Sequence, residues 1–170
     1  QGDLDINNNE KNKGGINMET KSFNDIRKNY VGFAEKFNEF LEPYSKNEKG
    51  LDEIISKLGR DYDSKGVGAW KNKIDMSKIP EKIEKEDMEN EELLKNYVGI
   101  ANIFEPYLIS ENKTAYANDF QTAKLHLNTT RSDEVVGKTI ERLNGVFPKM
   151  LVELNSTLEK MKKEASGGFS

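Results

Sequence analysis

The pentapeptide Lys28-Asn29-Tyr30-Val31-Gly32 recurs as Lys95-Asn96-Tyr97-Val98-Gly99. Each copy is followed by the tripeptide Glu-Pro-Tyr, at 42–44 and at 105–107. The spacing between pentapeptide and tripeptide differs by about four residues, which is close to one helical turn. The pattern predicts two similar helices, each ended by a proline, and it hints at an internal duplication. It is an architectural signal and specifies no reaction.

Apolar and aromatic residues recur every seven positions around the first copy. They form two series: Phe23, Tyr30, Phe37 and Tyr44, and then Ile26, Phe33 and Phe40. This spacing is typical of one buried face of a helix. We predict that the helix starts at Ser22, with Asp25 completing a capping box, and ends at Leu41 because Pro43 disfavours helical geometry before it.

Four more helices are predicted from apolar periodicity. They span 51–58, from 81 to the neighbourhood of Pro106, 119–128, and 133–164. Gly59 is expected to stop the second, Pro80 to start the third, and Ser132 to cap the fifth, which Pro148 should kink. No stretch alternates apolar and polar residues as a strand does. We therefore predict an all-α antiparallel bundle with three main helices and two shorter ones.

The two ends of the chain differ in composition from the middle. Residues 3–21 are rich in Asn, Lys and Gly, which is typical of a flexible tether, and 166–170 is expected to be a disordered tail. Gln1-Gly2 is typical of the remnant of a cleaved purification tag, which would make Asp3 the first native residue. We expect a removed leader upstream, and a helical bundle domain over 22–165.

Composition excludes several classes of function. The chain has 26 Lys and Arg against 30 Asp and Glu, interleaved throughout, so there is no basic stripe for nucleic acid. It has no cysteine, which excludes disulfides, thiol nucleophiles and iron–sulfur clusters. The single histidine, His126, cannot build a common zinc site by itself. No serine-nucleophile or phosphate-loop motif is present, so we predict no enzyme, cofactor or metal.

Three aromatic residues are candidates for ligand or partner contacts. Trp70, the only tryptophan, lies in the predicted loop 59–79, and anchoring that loop on the bundle is the favoured role for it. The hydroxyls of Tyr30 and Tyr97 need partners inside a bundle core and could mark a polar pocket between helices near Trp70.

The second half of the chain carries a further pattern. It reads Ala115-Tyr116-Ala117-Asn118-Asp119-Phe120 and then Ala123-Lys124-Leu125-His126. Together with Lys28-Asn29-Tyr30-Val31, this resembles the YiiG-like family of uncharacterised bacterial lipoproteins over about 23–163. The resemblance implies an all-helical fold, export and lipid anchoring, and it supplies no activity and no catalytic residues. It adds Tyr116 and His126 to the candidate residues.

Three hypotheses follow. The first is a non-enzymatic binding or structural domain of an exported bacterial lipoprotein in the cell envelope. It would bind an unknown protein or envelope component, and it would meet the membrane only through an N-terminal lipid anchor. The second is a small-molecule binder or enzyme with a pocket near Tyr30, Tyr97 and Trp70. The third is a cytoplasmic adaptor.

Overall fold

The computed structural model describes residues 18–61, 67–85, 88–109, 113–129 and 132–167. These ranges contain five helices: α1 (Met18–Leu41), α2 (Glu48–Asp61), α3 (Asn90–Phe104), α4 (Lys113–Asn128) and α5 (Asp133–Ala165). No strand occurs in them. The predicted all-α helical bundle is therefore confirmed.

Helix α1 begins earlier than predicted. It starts at Met18, so Ser22 lies inside the helix and is not its cap. Glu19 in the first turn interacts favourably with the helix dipole, and Thr20 is fully buried, so packing extends to this end. Residues 18–21, which we expected in the tether, are thus helical. The rest of the predicted tether, 1–17, lies outside the described residues, as does 168–170 of the predicted tail.

Helices α2 and α4, which were predicted to be the two shorter ones, are also longer than predicted. The backbone N–H of Gly50 bonds to the side-chain oxygen of Asn47 at 3.3 Å, so Asn47 supports the start of α2 three residues before Leu51. Helix α2 continues through Gly59, so that glycine is not its stop. Helix α4 starts at Lys113, whereas its start was predicted at 119.

The predicted start of α3 was wrong: the helix begins at Asn90 and not after Pro80. Residues 72–85, here called the strap, instead run along α1. The carboxamide of Asn24 bonds to both the N–H and the carbonyl of Ile83, at 2.9 and 2.8 Å. Asn38 bonds to Ile74 in the same way, at 2.8 and 2.9 Å. Side chains of α1 thus satisfy strap backbone groups that a helix would have satisfied internally.

The order of these contacts sets the direction of the strap. Position 74 meets position 38, and position 83 meets position 24, so the strap is antiparallel to α1. Between the two asparagines, the Nε atom of Arg27 donates to the carbonyl of Pro80 at 2.6 Å. The strap therefore carries the chain back to the end of the bundle where α1 begins.

Because of this return, α1, α3 and α5 run in the same direction. Ring contacts of α1 with α3 and with the turn that follows α3 advance together along the chain: Phe23 with Tyr97, Tyr30 with Phe104, and Phe37 with Tyr107. Contacts between α3 and α5 also advance together, from Asn90 with Asp133 to Tyr97 with Asn144. The predicted antiparallel relation holds for α4 against α5, where His126 meets Thr139 and Asp119 meets Arg142.

The repeated motif has equivalent roles in its two copies. Both tyrosines are buried, with Tyr30 1% and Tyr97 0% exposed, and both Glu-Pro-Tyr tripeptides form 3-10 turns at the ends of α1 and α3. The glycines are not equivalent. A Cβ atom at Gly32 would have no neighbour within 4 Å, whereas Gly99 is approached by the ring of Pro80 in the strap.

Helix α5 has the predicted start. The Ser132 hydroxyl accepts a bond from the N–H of Val135 at 3.3 Å, which confirms the cap. The helix then continues through Pro148 to Ala165. Its apolar face closes the core, whose largest fully buried side chains include Trp70, Tyr30, Tyr97, Phe33, Phe37, Phe104 and Phe147.

Candidate functional site

Trp70 lies in the packed core. It is 0% exposed, its indole N–H donates to the carbonyl of Tyr107 at 2.9 Å, and the Tyr107 hydroxyl donates to the carbonyl of Asn72 at 3.0 Å. The two rings meet edge to face with centroids 5.6 Å apart. These reciprocal bonds fix the segment around Trp70 onto the turn that ends α3. The anchoring role favoured from the sequence matches this geometry.

Tyr30 and Tyr97 both direct their hydroxyls at α5. The Tyr30 hydroxyl donates to the main-chain carbonyl of Phe147 at 2.6 Å, and the Tyr97 hydroxyl donates to the side chain of Asn144. Burial raises the pKa of both phenols well above the usual range of a tyrosine. Both residues therefore remain neutral donors at physiological pH.

Tyr116 approaches α5 from a third side. Its hydroxyl is hydrogen-bonded to the carboxylate of Glu153, and burial followed by the charge of Glu153 raises its pKa. Glu153 and Tyr116 also raise the pKa of Tyr30, so the three groups are electrostatic neighbours. Tyr30, Tyr97 and Tyr116 are thus brought together along one stretch of α5. The rings of Phe104 and Phe33 pack between Tyr30 and Trp70. Neither Trp70 nor any of the three tyrosines lines the end groove described below.

His126 lies elsewhere, in a groove at one end of the bundle. We call this the end groove: it has a volume of about 610 Å³ and is lined by 88–91, 126–129, Asp133 and Val136. It forms where α3 and α5 begin and α4 ends. The side-chain amide of Asn90 donates to the carbonyl of Asp133 at 3.4 Å and joins the two helix starts.

The ring of His126 is oriented by α5. Its Nδ1 atom lies 2.7 Å from the hydroxyl of Thr139, and that hydroxyl also lies 3.1 Å from the carbonyl of Val135. A hydroxyl has one proton, so both contacts are satisfied when Thr139 donates to Val135 and Nδ1 donates to Thr139. This arrangement makes Nε2 the acceptor atom of the neutral ring.

The described lining of the end groove combines an acidic rim with an apolar base. Glu89, Glu91 and Asp133 contribute carboxylates, and no Lys or Arg is among the described lining residues. Val136 is buried at the base, with Met88 half-buried beside it. Such a surface favours a ligand that carries positive charge next to an apolar group.

His126 was identified as a candidate from the sequence, but its hydrogen-bond partner and the groove around it were not. Thr139, Asn144 and Glu153 were not among the predicted residues. Their only local signal is that each places a polar side chain beside the apolar stripe of α5. The partner of Thr139 is 13 positions away in the sequence, and the partner of Asn144 is 47 positions away. Both partners lie outside α5, so spacing within α5 could not reveal them.

Comparison of the chain with protein-family models, with curated proteins and with solved structures finds no match. Within the described ranges, no helix is both long and apolar enough to span a membrane. The described residues also contain no group of three or more His, Asp or Glu side chains that could hold a metal ion.

Proposed function

We propose that this chain is a non-enzymatic binding domain of an exported bacterial protein with an N-terminal lipid anchor, as the YiiG-like resemblance implies. We propose further that the end groove is its binding site. The observation that carries the second proposal is the oriented ring of His126 in a groove of about 610 Å³ whose base is apolar. The groove is also of the size that small ligands and peptide segments occupy.

The expected ligand is cationic and partly apolar, such as a basic peptide segment of a protein partner. The carboxylates of Glu89, Glu91 and Asp133 complement its charge, and Val136 and Leu127 complement its apolar part. Asn90 and Nε2 of His126 supply one donor and one acceptor for orientation. Binding is therefore expected to weaken as salt concentration rises.

A titration tests the site. A short peptide of alternating Lys and Leu is added to the labelled protein, and amide shifts are followed by NMR. Shifts confined to the end groove, lost in Glu91→Lys but kept in Glu35→Lys, would support the proposal. Glu35 is an exposed acid on α1 and does not line the groove, so it controls for net charge. An equal response to a Glu/Leu peptide, or no shifts at the groove, would refute it.

Fractionation of cells that make the full-length protein tests the compartment separately. The protein should be recovered with the envelope and released by detergent. Recovery in the cytoplasm would favour the adaptor hypothesis and would leave the groove titration unaffected.

A further inference from the structure

Tyr30, Tyr97 and Tyr116 contact α5 from three different helices, and they do so within one short stretch. Tyr97 bonds to Asn144, Tyr30 bonds to the carbonyl of Phe147, and Tyr116 bonds to Glu153. Pro148 lies in the middle of this stretch and inside the helix. The tyrosine hydroxyls thus meet α5 at the position where its own hydrogen bonding is weakest.

The weakness follows from the chemistry of proline. Pro148 has no N–H to donate to the carbonyl of Asn144, and its ring crowds that carbonyl. In an isolated helix this turn would bend or break, yet α5 continues for another 17 residues, from 149 to 165. Contacts from outside α5 can therefore add to the stability of this turn.

We propose that Pro148 is a joint in α5, and that the hydroxyls of Tyr30 and Tyr97 are the two latches that hold it closed. The two latches are the tyrosines of the two copies of Lys-Asn-Tyr-Val-Gly. The repeat thus has a physical role in closing the joint. This role is independent of the end groove and its ligand.

The part of α5 beyond the joint packs into the core and contacts α2. It buries Leu154, Leu158 and Met161 in the core, and Glu164 lies 3.5 Å from the ammonium of Lys57 on α2. Opening the joint would move this half of α5 away from the aromatic core.

The two latches are not equivalent. Tyr30 bonds to a main-chain carbonyl, whose position is fixed by the helix. Tyr97 bonds to the side chain of Asn144, which can rotate and follow a moving partner. Loss of the Tyr30 hydroxyl should therefore loosen the joint more than loss of the Tyr97 hydroxyl.

Spin labels across the joint test the proposal directly, and the absence of native cysteine makes labelling simple. Labels at the exposed positions 141 and 163 are about 33 Å apart along a straight helix at 1.5 Å per residue. The wild type should give one narrow distance distribution. Tyr30→Phe with Tyr97→Phe should broaden it toward shorter distances, and adding Pro148→Ala should narrow it again. A distribution as narrow as that of the wild type in the double variant would overturn the proposal.

Hydrogen exchange of the unlabelled protein gives a second test, which holds even if the double variant does not fold. In the wild type, amides of 149–165 should exchange faster than those of α3, and equal protection would overturn the joint. In Tyr30→Phe, the amide of Leu151, which pairs with the Phe147 carbonyl in an α-helix, should exchange roughly tenfold faster. Tyr107→Phe removes a hydroxyl that bonds away from α5 and should leave Leu151 unchanged. No acceleration of Leu151 in Tyr30→Phe would also overturn the proposal.

Discussion

The ring of Pro80 lies directly against Gly99. A Cβ atom placed on Gly99 would be 2.8 Å from Cγ of Pro80, which is closer than carbon atoms approach without a shift. Gly32 occupies the same position in the first copy of the pentapeptide, and a Cβ there would have no neighbour within 4 Å. The glycine of the pentapeptide therefore faces the strap in one copy and open space in the other.

This difference predicts opposite effects of the same substitution. Gly99→Ala should lower the free energy of unfolding by about 1–3 kcal/mol, because the Pro80 ring and the strap must move. Gly32→Ala should raise it by up to about 1 kcal/mol, because alanine favours a helix interior. Urea unfolding measures both, and each variant is the control of the other. Stabilisation by both substitutions would contradict the contact with Pro80.

Asn24, which bonds to Ile83 near the C-terminal end of the strap, gives a second prediction. Asn24→Ala removes both partners of the Ile83 backbone and should lower the free energy of unfolding by about 1–3 kcal/mol. Trypsin should also cleave faster after Lys82 and Lys85. Asn29→Ala, at an exposed position of the same helix, is the matched control and should change neither quantity. Unchanged cleavage in Asn24→Ala would show that the strap is held by other contacts.

The contacts of the strap with Gly99 and Asn24 show where local sequence signals fail to predict the fold. The stripe of α1 and the cap at Ser132 were predictable because both depend on neighbours within a few residues. The strap was not, since Pro80 and the acidic residues after it have the local signature of a helix start. Asn24 and Asn38 override that signature from 59 and 36 positions away. The common direction of α1, α3 and α5 was not predicted either, because it depends on the path of the strap.

The candidate site was predictable only in part. His126 was identified from the family resemblance and not from the groove around it. The end groove joins residues near 90, 126 and 133, which meet only when three helix ends come together. The tyrosines were correctly expected to need polar partners, but the partners on α5 were not identified. The alternative hypothesis was an inter-helix pocket near Tyr30, Tyr97 and Trp70. The ring of Trp70 packs against Phe37 and Tyr107.

The cap of α5 gives a third prediction. Ser132→Ala leaves the N–H of Val135 without its side-chain acceptor and should cost about 1 kcal/mol of unfolding free energy. Ser156→Ala, at an exposed position inside the same helix, should be neutral or slightly stabilising because alanine has the higher helix propensity. Thermal unfolding of both variants provides the measurement. Equal effects would mean that the hydroxyl of Ser132 adds nothing to the stability of α5.

The buried phenols give a fourth prediction, which concerns alkaline pH. The folded protein raises the pKa of Tyr30 and Tyr97 above the unfolded value of about 10, chiefly through burial. A group whose pKa is raised on folding stabilises the native state fully below its unfolded pKa and progressively less above it. The contribution of each phenol should therefore be constant up to about pH 9 and should fall above about pH 10.

Comparison of the wild type with Tyr30→Phe isolates one phenol from the lysines that titrate in the same range. At neutral pH the variant should be less stable by about 1–2 kcal/mol, because the Phe147 carbonyl loses its donor. Above about pH 10 the wild type loses up to about 1.4 kcal/mol per pH unit that the variant does not lose, so the difference should shrink and then reverse. Urea unfolding at a series of pH values measures it. A difference that stays constant to about pH 12 would mean that the Tyr30 hydroxyl ionises as readily in the folded chain as in the unfolded one.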